Sequence, residues 1–417
     1  MRRAWHLNVL VFVTAILLVG GGVAGSGFAA EKEPIRVGFT ACMTGNFAQF
    51  GKDMLDGFKM YLDEINWTAA GRKIELFVED EQTSPAVAVT KTRKLITHDK
   101  VDFITGVFLT SVAYAMADVC TKSKMPLFVA ISGGDDITQR KHSKYVIRMS
   151  WTGSEIGHAA GDYAYRYLGW RKAATIAMDY GWGHENAGAF HQVFQDLGGK
   201  VIQKIWTPIT AVDYGPYVAN LNSKADGIFE CVTGAASIRL LKAIYESGRK
   251  WPVIAAGPAT DETFLDALGK YGVGVYTSFP YSLALQNPEN LKFRERARKA
   301  RNGQEPTAFF AICYRSANVI FKAVEAVNGN VEDKDAFLAA VRAIEIPNSI
   351  GGPFKIDKYG HPIQNVYIRK VEKVNGGYQN TVVHTYPNAS QFWTYDPEEY
   401  MKKPVYTRDV PPCKDCE

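Results

Sequence analysis

Short apolar runs alternate with segments whose apolar residues recur at helical spacing, and this alternation constrains the fold more than any other feature of the chain. The first run, Ile35-Arg36-Val37-Gly38-Phe39, reads as a buried strand. It breaks into a loop of small and polar residues from Thr40 to Gln49. A helix is expected from about Gly51, with Met54, Phe58, Tyr61 and Ile65 on one face. Further strands are expected at 74–78, 101–105, 126–130 and 145–148, with helices at 85–97 and 111–122 between them. Strands linked through helices make a parallel sheet covered on both faces. A second series then begins. A helix from Ser154 to Tyr167 leads to strands at 173–178, 201–206, 227–231 and 253–256, with helices near 185–197, 215–222 and 235–247. The chain therefore predicts two α/β units in succession, each with its ligand crevice at the carboxyl edge of its strands.

After Val275 the pattern changes to helices at 288–301, 307–327 and 333–342 and strands at 354–357, 365–371 and 381–385. These are too few for a third domain and are read as completing the first two. The chain then crosses between units near 150–153, 277–280 and 347–352, stretches rich in Gly, Ser and Pro. The expected division is a leader at 1–29, a first lobe of 34–150 plus 279–347, a second lobe of 151–278 plus 348–400, and a tail at 401–417. The leader reading rests on Arg2 and Arg3, an apolar run from Val9 to Val19, and small residues at Gly27 and Ala29. That run is shorter than a membrane span requires, and no Cys precedes Cys42 to carry a lipid anchor. An exported protein is expected.

The function classes narrow by exclusion. Basic and acidic residues, 48 and 43 in number, are mixed throughout, with no basic stripe for nucleic acid. There is no GxSxG elbow, Walker loop or GxGxxG after the first strand. His184, Glu185 and His191 lack the HExxH spacing of a zinc helix, and neither metal nor cofactor is expected. Asp80-Glu81 reads as a carboxylate pair or as loop and hinge hydrogen bonding, and Asp135-Asp136 as helix capping. Cys42, Cys120, Cys231 and Cys313 sit in or beside apolar runs and read as buried thiols. Cys413 and Cys416 read as a local disulfide or idle thiols. Thr110 and Ser111 precede a helix, where hydroxyls and free N–H groups converge on an anion, though a plain N-cap fits Thr110 as well. Phe47, Phe50, Phe108, Trp151, Tyr180, Trp182 and Tyr281 stand at expected loops or strand ends, as pocket walls or as ordinary packing.

Several stretches carry a resemblance: VGFTACMTGNFAQFGKDMLDGFKMYLDEIN, IELFVEDEQTSPAVAVTKTRKLI, TGVFLTSVAYAMAD, PLFVAISGGDDIT, DYGWGHENAGAF, AGPATDETFLDALG and GGPFKIDKYGHP. In this order and spacing the chain resembles the type I periplasmic binding proteins of the branched-chain amino acid transport group, the receptors of ABC importers. The resemblance implies two Rossmann-like lobes with parallel sheets, joined by a three-segment hinge, with the ligand between them. It implies that Phe50 packs on the ligand side chain and that Thr110, with Ser111 beside it, binds the ligand carboxylate. Ser132 and Gly133 would form a turn holding the polar head. Tyr180 would close over it, with Thr233 and Gly234 at the next strand end. Phe47, Phe108 and Tyr281 complete the expected site.

The departures from the family sharpen the ligand. Amino-acid-binding members carry an acid after the Gly-Pro of the GPATDE region, paired with the ligand ammonium. Ala259 stands there, with Asp261 two residues on as a possible substitute. A buried ammonium with no carboxylate is poorly compensated, so a small aromatic or hydrophobic organic acid is expected instead. Some members also tie the loop after the second strand to that after the third by a disulfide. These loops, near Gln82 and Leu109, hold no Cys, and their rigidity is expected to come from packing. The expected function is a monomeric periplasmic receptor, not an enzyme, that delivers its ligand to a membrane permease. The alternatives are a branched-chain amino acid receptor of the same family, an exported hydrolase using the same cleft, and a sensory receptor domain.

Overall fold

The structure, a computed structural model, describes residues 32–416, so the leader read at 1–29 lies outside the described residues. The first lobe is built on strands β1 (Ile35–Ala41), β2 (Thr68–Ala69), β3 (Arg72–Asp80), β4 (Phe103–Gly106), β5 (Leu127–Val129) and β6 (Val146–Arg148), in the order β2-β3-β1-β4-β5-β6. All pairs are parallel except the short β2–β3 hairpin. Helix α1 (Ala48–Glu64) starts earlier than its apolar periodicity suggests, from a 3-10 turn at Gly45–Phe47, so Phe47 and Phe50 open a helix rather than sit in a loop. Helices α2 (Pro85–Thr97) and α3 (Thr110–Lys122) cover the opposite face, where Leu95, Val112 and Met116 meet Ile104 and Leu127.

The second lobe follows from helix α4 (Gly153–Arg166), whose start is set by a buried capping box of Thr152 and Glu155. Strands β7 (Lys172–Met178), β8 (Lys200–Thr207), β9 (Gly227–Cys231) and β10 (Val253–Ala256) alternate with helices α5 (Gly181–Asp196), α6 (Gly215–Ala219), α7 (Ala235–Glu246) and α8 (Glu262–Leu268). Phe190 and Phe194 of α5 stack over Phe229 on one face, and Leu240 and Leu241 of α7 pack with Ile176 and Ile228 on the other. Sealing both faces keeps the backbone hydrogen bonds of a parallel sheet out of water.

The remaining elements are β11 (Tyr276–Phe279), α9 (Pro288–Ala300), α10 (Ala308–Ala326), α11 (Lys334–Ala343), β12 (Glu345–Ser349), β13 (Gly352–Ile356), β14 (Pro362–Val374), β15 (Gly377–Ala389) and α12 (Pro397–Lys402). Helices α10 and α11 return to the first lobe. Phe337 meets Phe103 and Phe128, and Phe321 meets Phe58 and Phe103. Gly57 lets α1 touch α10, because a Cβ there would lie 2.1 Å from the carbonyl oxygen of Phe310. The late strands all join the second sheet, ordered β12-β13-β14-β11-β10-β9-β7-β8 with β15 beside β14. Two stretches expected as open crossings are therefore strands. Residues 276–279 pair with both β10 and β14, and residues 345–356 form the β12–β13 hairpin. Small and polar residues in these short strands hid them. The chain passes from the first lobe to the second sheet between α11 and β12, ahead of the expected point.

The four interior thiols are buried and unpaired, and Cys413 and Cys416 form a disulfide. The tail lies along α5 and β8: Tyr406 bonds Gln192, Lys204 bonds the Pro411 carbonyl, and Lys200 pairs with Asp415. Among the described residues no helix is long and apolar enough to cross a membrane.

Candidate functional site

Among its parallel strands each sheet reverses its order once, and those reversals place the site. The first reverses beside β1, between β3 and β4, and the second beside β7, between β8 and β9. Crevices open at such points. The loops leaving β4, β7 and β9 converge on one tight interlobe cavity of about 30 Å³. Phe108, Thr110 and Gly133 line it from the first lobe, and Tyr180, Trp182 and Thr233 from the second. Trp151 on the first crossing segment and Phe309 on α10 close it, with Leu109, Ile131 and Pro258 filling the wall. No lining residue is charged. Five of the eleven are aromatic, which suits a small apolar ring.

Two helices begin at this cavity from opposite lobes. The N-caps of α3 and α5 are Leu109 and Tyr180, and neither gives a side-chain cap bond. The first residues of each helix therefore present N–H groups with no partner inside the helix. The two starts meet, since a Cβ on Gly181 would lie 3.2 Å from the Thr110 methyl. Positive helix ends brought together repel, and an anion between them turns repulsion into attraction. The indole N–H groups of Trp151 and Trp182 are also buried without a partner. Unpaired buried donors of this kind each cost about 1–3 kcal/mol until an acceptor arrives. Burial raises the Tyr180 phenol, so its hydroxyl stays a neutral donor.

Buried ions hold this frame. The Arg148 guanidinium bonds the carbonyls of Ser132, Gly134 and Trp151, which fixes the turn carrying Gly133. Trp182 packs on that turn so closely that a Cβ on Gly133 would lie 2.2 Å from its ring. Glu81 accepts the Phe108 N–H at 3.3 Å and so joins the loops after β3 and β4, where packing alone was expected. Burial pushes its carboxyl up to about 7. Glu230 accepts the Val232 N–H at 2.7 Å and fixes the turn before Thr233. Burial likewise pushes it up to about 8.

Two polar latches join the lobes beside the cavity. In one, Tyr114 of α3 donates to Glu185 of α5 at 2.7 Å, and Glu185 accepts the Asp135 N–H at 3.1 Å. Asp135 accepts the Ser154 N–H at the start of α4, so the capping expected of Asp135-Asp136 acts on a helix of the other lobe. Burial pushes Asp135 up to about 7, and burial plus the Asp135 charge raise Glu185 well above the usual range. In the other latch, the Thr263 hydroxyl of α8 meets Asp53 of α1, which also pairs with Arg301 at 3.2 Å. Among the described residues no His/Cys/Asp/Glu group is arranged to hold a metal.

Of the residues singled out in the sequence, Phe108, Thr110, Gly133, Trp151, Tyr180, Trp182 and Thr233 line the cavity. Phe47 and Phe50 sit behind Phe108, at 5.2 and 5.4 Å between ring centres, and Phe50 also backs Phe309 at 4.5 Å. Gly234 lies against these two rings from the second lobe. Ser111 turns outward on α3 and is exposed. Ser132 is buried, its carbonyl on Arg148 and its hydroxyl accepting from the Gly134 N–H. Asp261 caps α8 through Thr263 and does not reach the lining. Tyr281 is buried against α9, its hydroxyl on Asn290 at 2.6 Å. Phe309 was hidden by its position. It lies in α10, a helix with both Phe309 and Phe310 buried and buried residues on nearly every side, where helical spacing does not separate core from cavity.

The chain belongs to the periplasmic binding protein family, whose model matches residues 34–377. It is similar to the Leu/Ile/Val-binding protein homolog 6 of Brucella melitensis biotype 1, at 30% identity across 86% of this chain and 93% of that one. An ABC transporter substrate-binding protein from Sphaerobacter thermophilus superposes with a TM-score of 0.82 at 31% identity, covering 86% of this chain and 99% of that one. A solute binding protein of an ABC transporter from Rhodopseudomonas palustris BisB5, in complex with 3,4-dihydroxy benzoic acid, gives 0.81 at 30%, covering 86% and 98%. The chain is thus a solute-binding protein of the ABC-transporter kind.

Proposed function

We propose that this protein captures a small aromatic monocarboxylate of the benzoate class in the interlobe cavity. The observation that carries this reading is the pairing of an uncharged, aromatic-lined cavity with two converging helix starts and two unpaired indole donors. The carboxylate lies between Thr110 and the start of α5, and the ring lies among Phe108, Trp151, Trp182 and Phe309. The dihydroxybenzoate carried by a relative at 30% identity supports the same class. An α-amino acid fits poorly: no carboxylate lines the cavity to pair with an ammonium, Pro258 stands in its wall, and Asp261 is engaged at α8. Closure carries the first lobe, with α9–α11, against the second, and the latches at Glu185 and Asp53 join as the cleft shuts. Only a ligand that favours the closed state shifts that equilibrium. The protein acts as a periplasmic monomer, makes or breaks no bond in its ligand, and hands it to a membrane permease.

A thermal-shift screen of benzoates, cinnamates, aliphatic acids and amino acids tests this reading. Benzoates are expected to raise the melting temperature by several degrees and to be recovered unchanged after incubation. A shift with leucine and none with benzoates would overturn the ligand class, and turnover of a bound acid would overturn the receptor role.

A further inference from the structure

A second pocket, about 220 Å³, opens on the far side of α10, between α9, α10 and the β12–β13 hairpin. Its inner wall is Arg315, a residue only 3% exposed in the middle of an apolar helix. One of its terminal nitrogens bonds the Met149 carbonyl at 3.2 Å and Gln364 at 2.9 Å. Its Nε is buried with no partner, and its other terminal nitrogen abuts Gly351 of the hairpin turn, where a Cβ would lie 3.0 Å away. Among the described residues no carboxylate forms an ion pair with it, and Glu155 acts on it only through longer-range attraction. Glu64 is taken by Arg296 at 2.8 Å, and Glu289 at the pocket mouth is taken by Lys292 at 3.1 Å. Glu155 faces His361 at 3.2 Å, and burial holds its carboxyl toward the neutral form. The ring of Phe354, 4.8 Å from the guanidinium, gives only partial compensation. A buried cation left this way is costly unless an anion meets it. Asn318 and Lys322 line the same pocket, three and seven residues along α10, which puts them on the face of Arg315. Lys322 is exposed and forms no ion pair among the described residues.

We propose that this pocket is a second binding site, for a small tetrahedral oxyanion such as phosphate or sulfate. The oxyanion is held by Arg315 and Lys322 with Asn318 between them. The site lies away from the ligand cavity. Its occupant would tie α10 of the first lobe to the hairpin of the second sheet, beside the segment where Arg315 holds Met149. Binding there stiffens the crossing region without touching the aromatic acid.

The test is a thermal-shift titration of the full chain with potassium phosphate and, separately, potassium sulfate, with ionic strength held constant by potassium chloride. A saturable rise in melting temperature is expected with one or both oxyanions. Its midpoint should move up about tenfold or more in Lys322→Glu, given the strength of charge-assisted bonds. It should be lost in Arg315→Met. Lys322 is exposed, so its variant stays informative even if Arg315→Met fails to fold. A response to the oxyanions no different from chloride would overturn the proposal. So would a midpoint that moves in Thr110→Val but not in Lys322→Glu, which would place the anion in the cleft.

Discussion

Closing the cleft buries Glu185 against Asp135, so acid binding should depend on pH in a defined direction. In the closed form Asp135 titrates at about 7, against an ordinary value of 3.8 when opening returns it to water. Burial raises Glu185 as well. A carboxyl whose value rises on closure takes up a proton as the cleft shuts. Low pH therefore favours the closed form, and the gain fades as pH climbs through the raised value. Arg148 and Arg140 lie near this group and Lys141 lies over the Tyr114 ring. His158, held down to about 3 by burial, stays neutral. For one proton at about pKa 7, affinity for benzoate should rise about tenfold between about pH 8 and about pH 6. A second proton on Glu185 would steepen that rise. Calorimetric titration of benzoate at several pH values, in buffers of different ionisation heat, reads both the affinity and the protons taken up. Asp135→Asn keeps the oxygen that accepts from Ser154 and should flatten the slope. Affinity that is flat or falls on acidification, or an undiminished slope in Asp135→Asn, would show that closure takes up no proton at Asp135.

Other changes have equally direct outcomes. Gly133→Ala forces a Cβ into the Trp182 ring and should weaken benzoate binding at least tenfold, with little change in denaturant midpoint, because the clash arises only on closure. Trp182→Phe removes one unpaired donor and should cost about tenfold in benzoate affinity by calorimetry. Phe321→Ala removes a ring shared by Phe58, Tyr61 and Phe103 and should lower unfolding stability by about 3–5 kcal/mol in a urea titration.

The alternation of apolar strands and amphipathic helices was legible because parallel strands buried on both faces read as continuous apolar runs, as at Ile35–Ala41 and Gly227–Cys231. Strands β14 and β15 were only partly legible. They form a hairpin with one face in water, so Lys373, Gln379 and Asn388 break the apolar signal. Thr110 could be found as a helix start at a strand end. Trp151 and Trp182 could be placed near loops, but their unpaired N–H groups depend on what other chain segments fail to offer. Asp261 and Tyr281 show the converse. Each follows a strand, as a site residue would, yet one meets Thr263 in its own helix and the other Asn290 nine residues on. Local spacing cannot say which partner a side chain finds.

The ligand carboxylate is expected where the helices of the two lobes begin. A crystal structure with benzoate bound tests this most directly. The expected result has the carboxylate oxygens within hydrogen-bond distance of Thr110 and of an indole N–H of Trp151 or Trp182, with the ring between Phe108 and Phe309. A carboxylate turned instead toward Asp261, or benzoate bound outside the interlobe cavity, would contradict it.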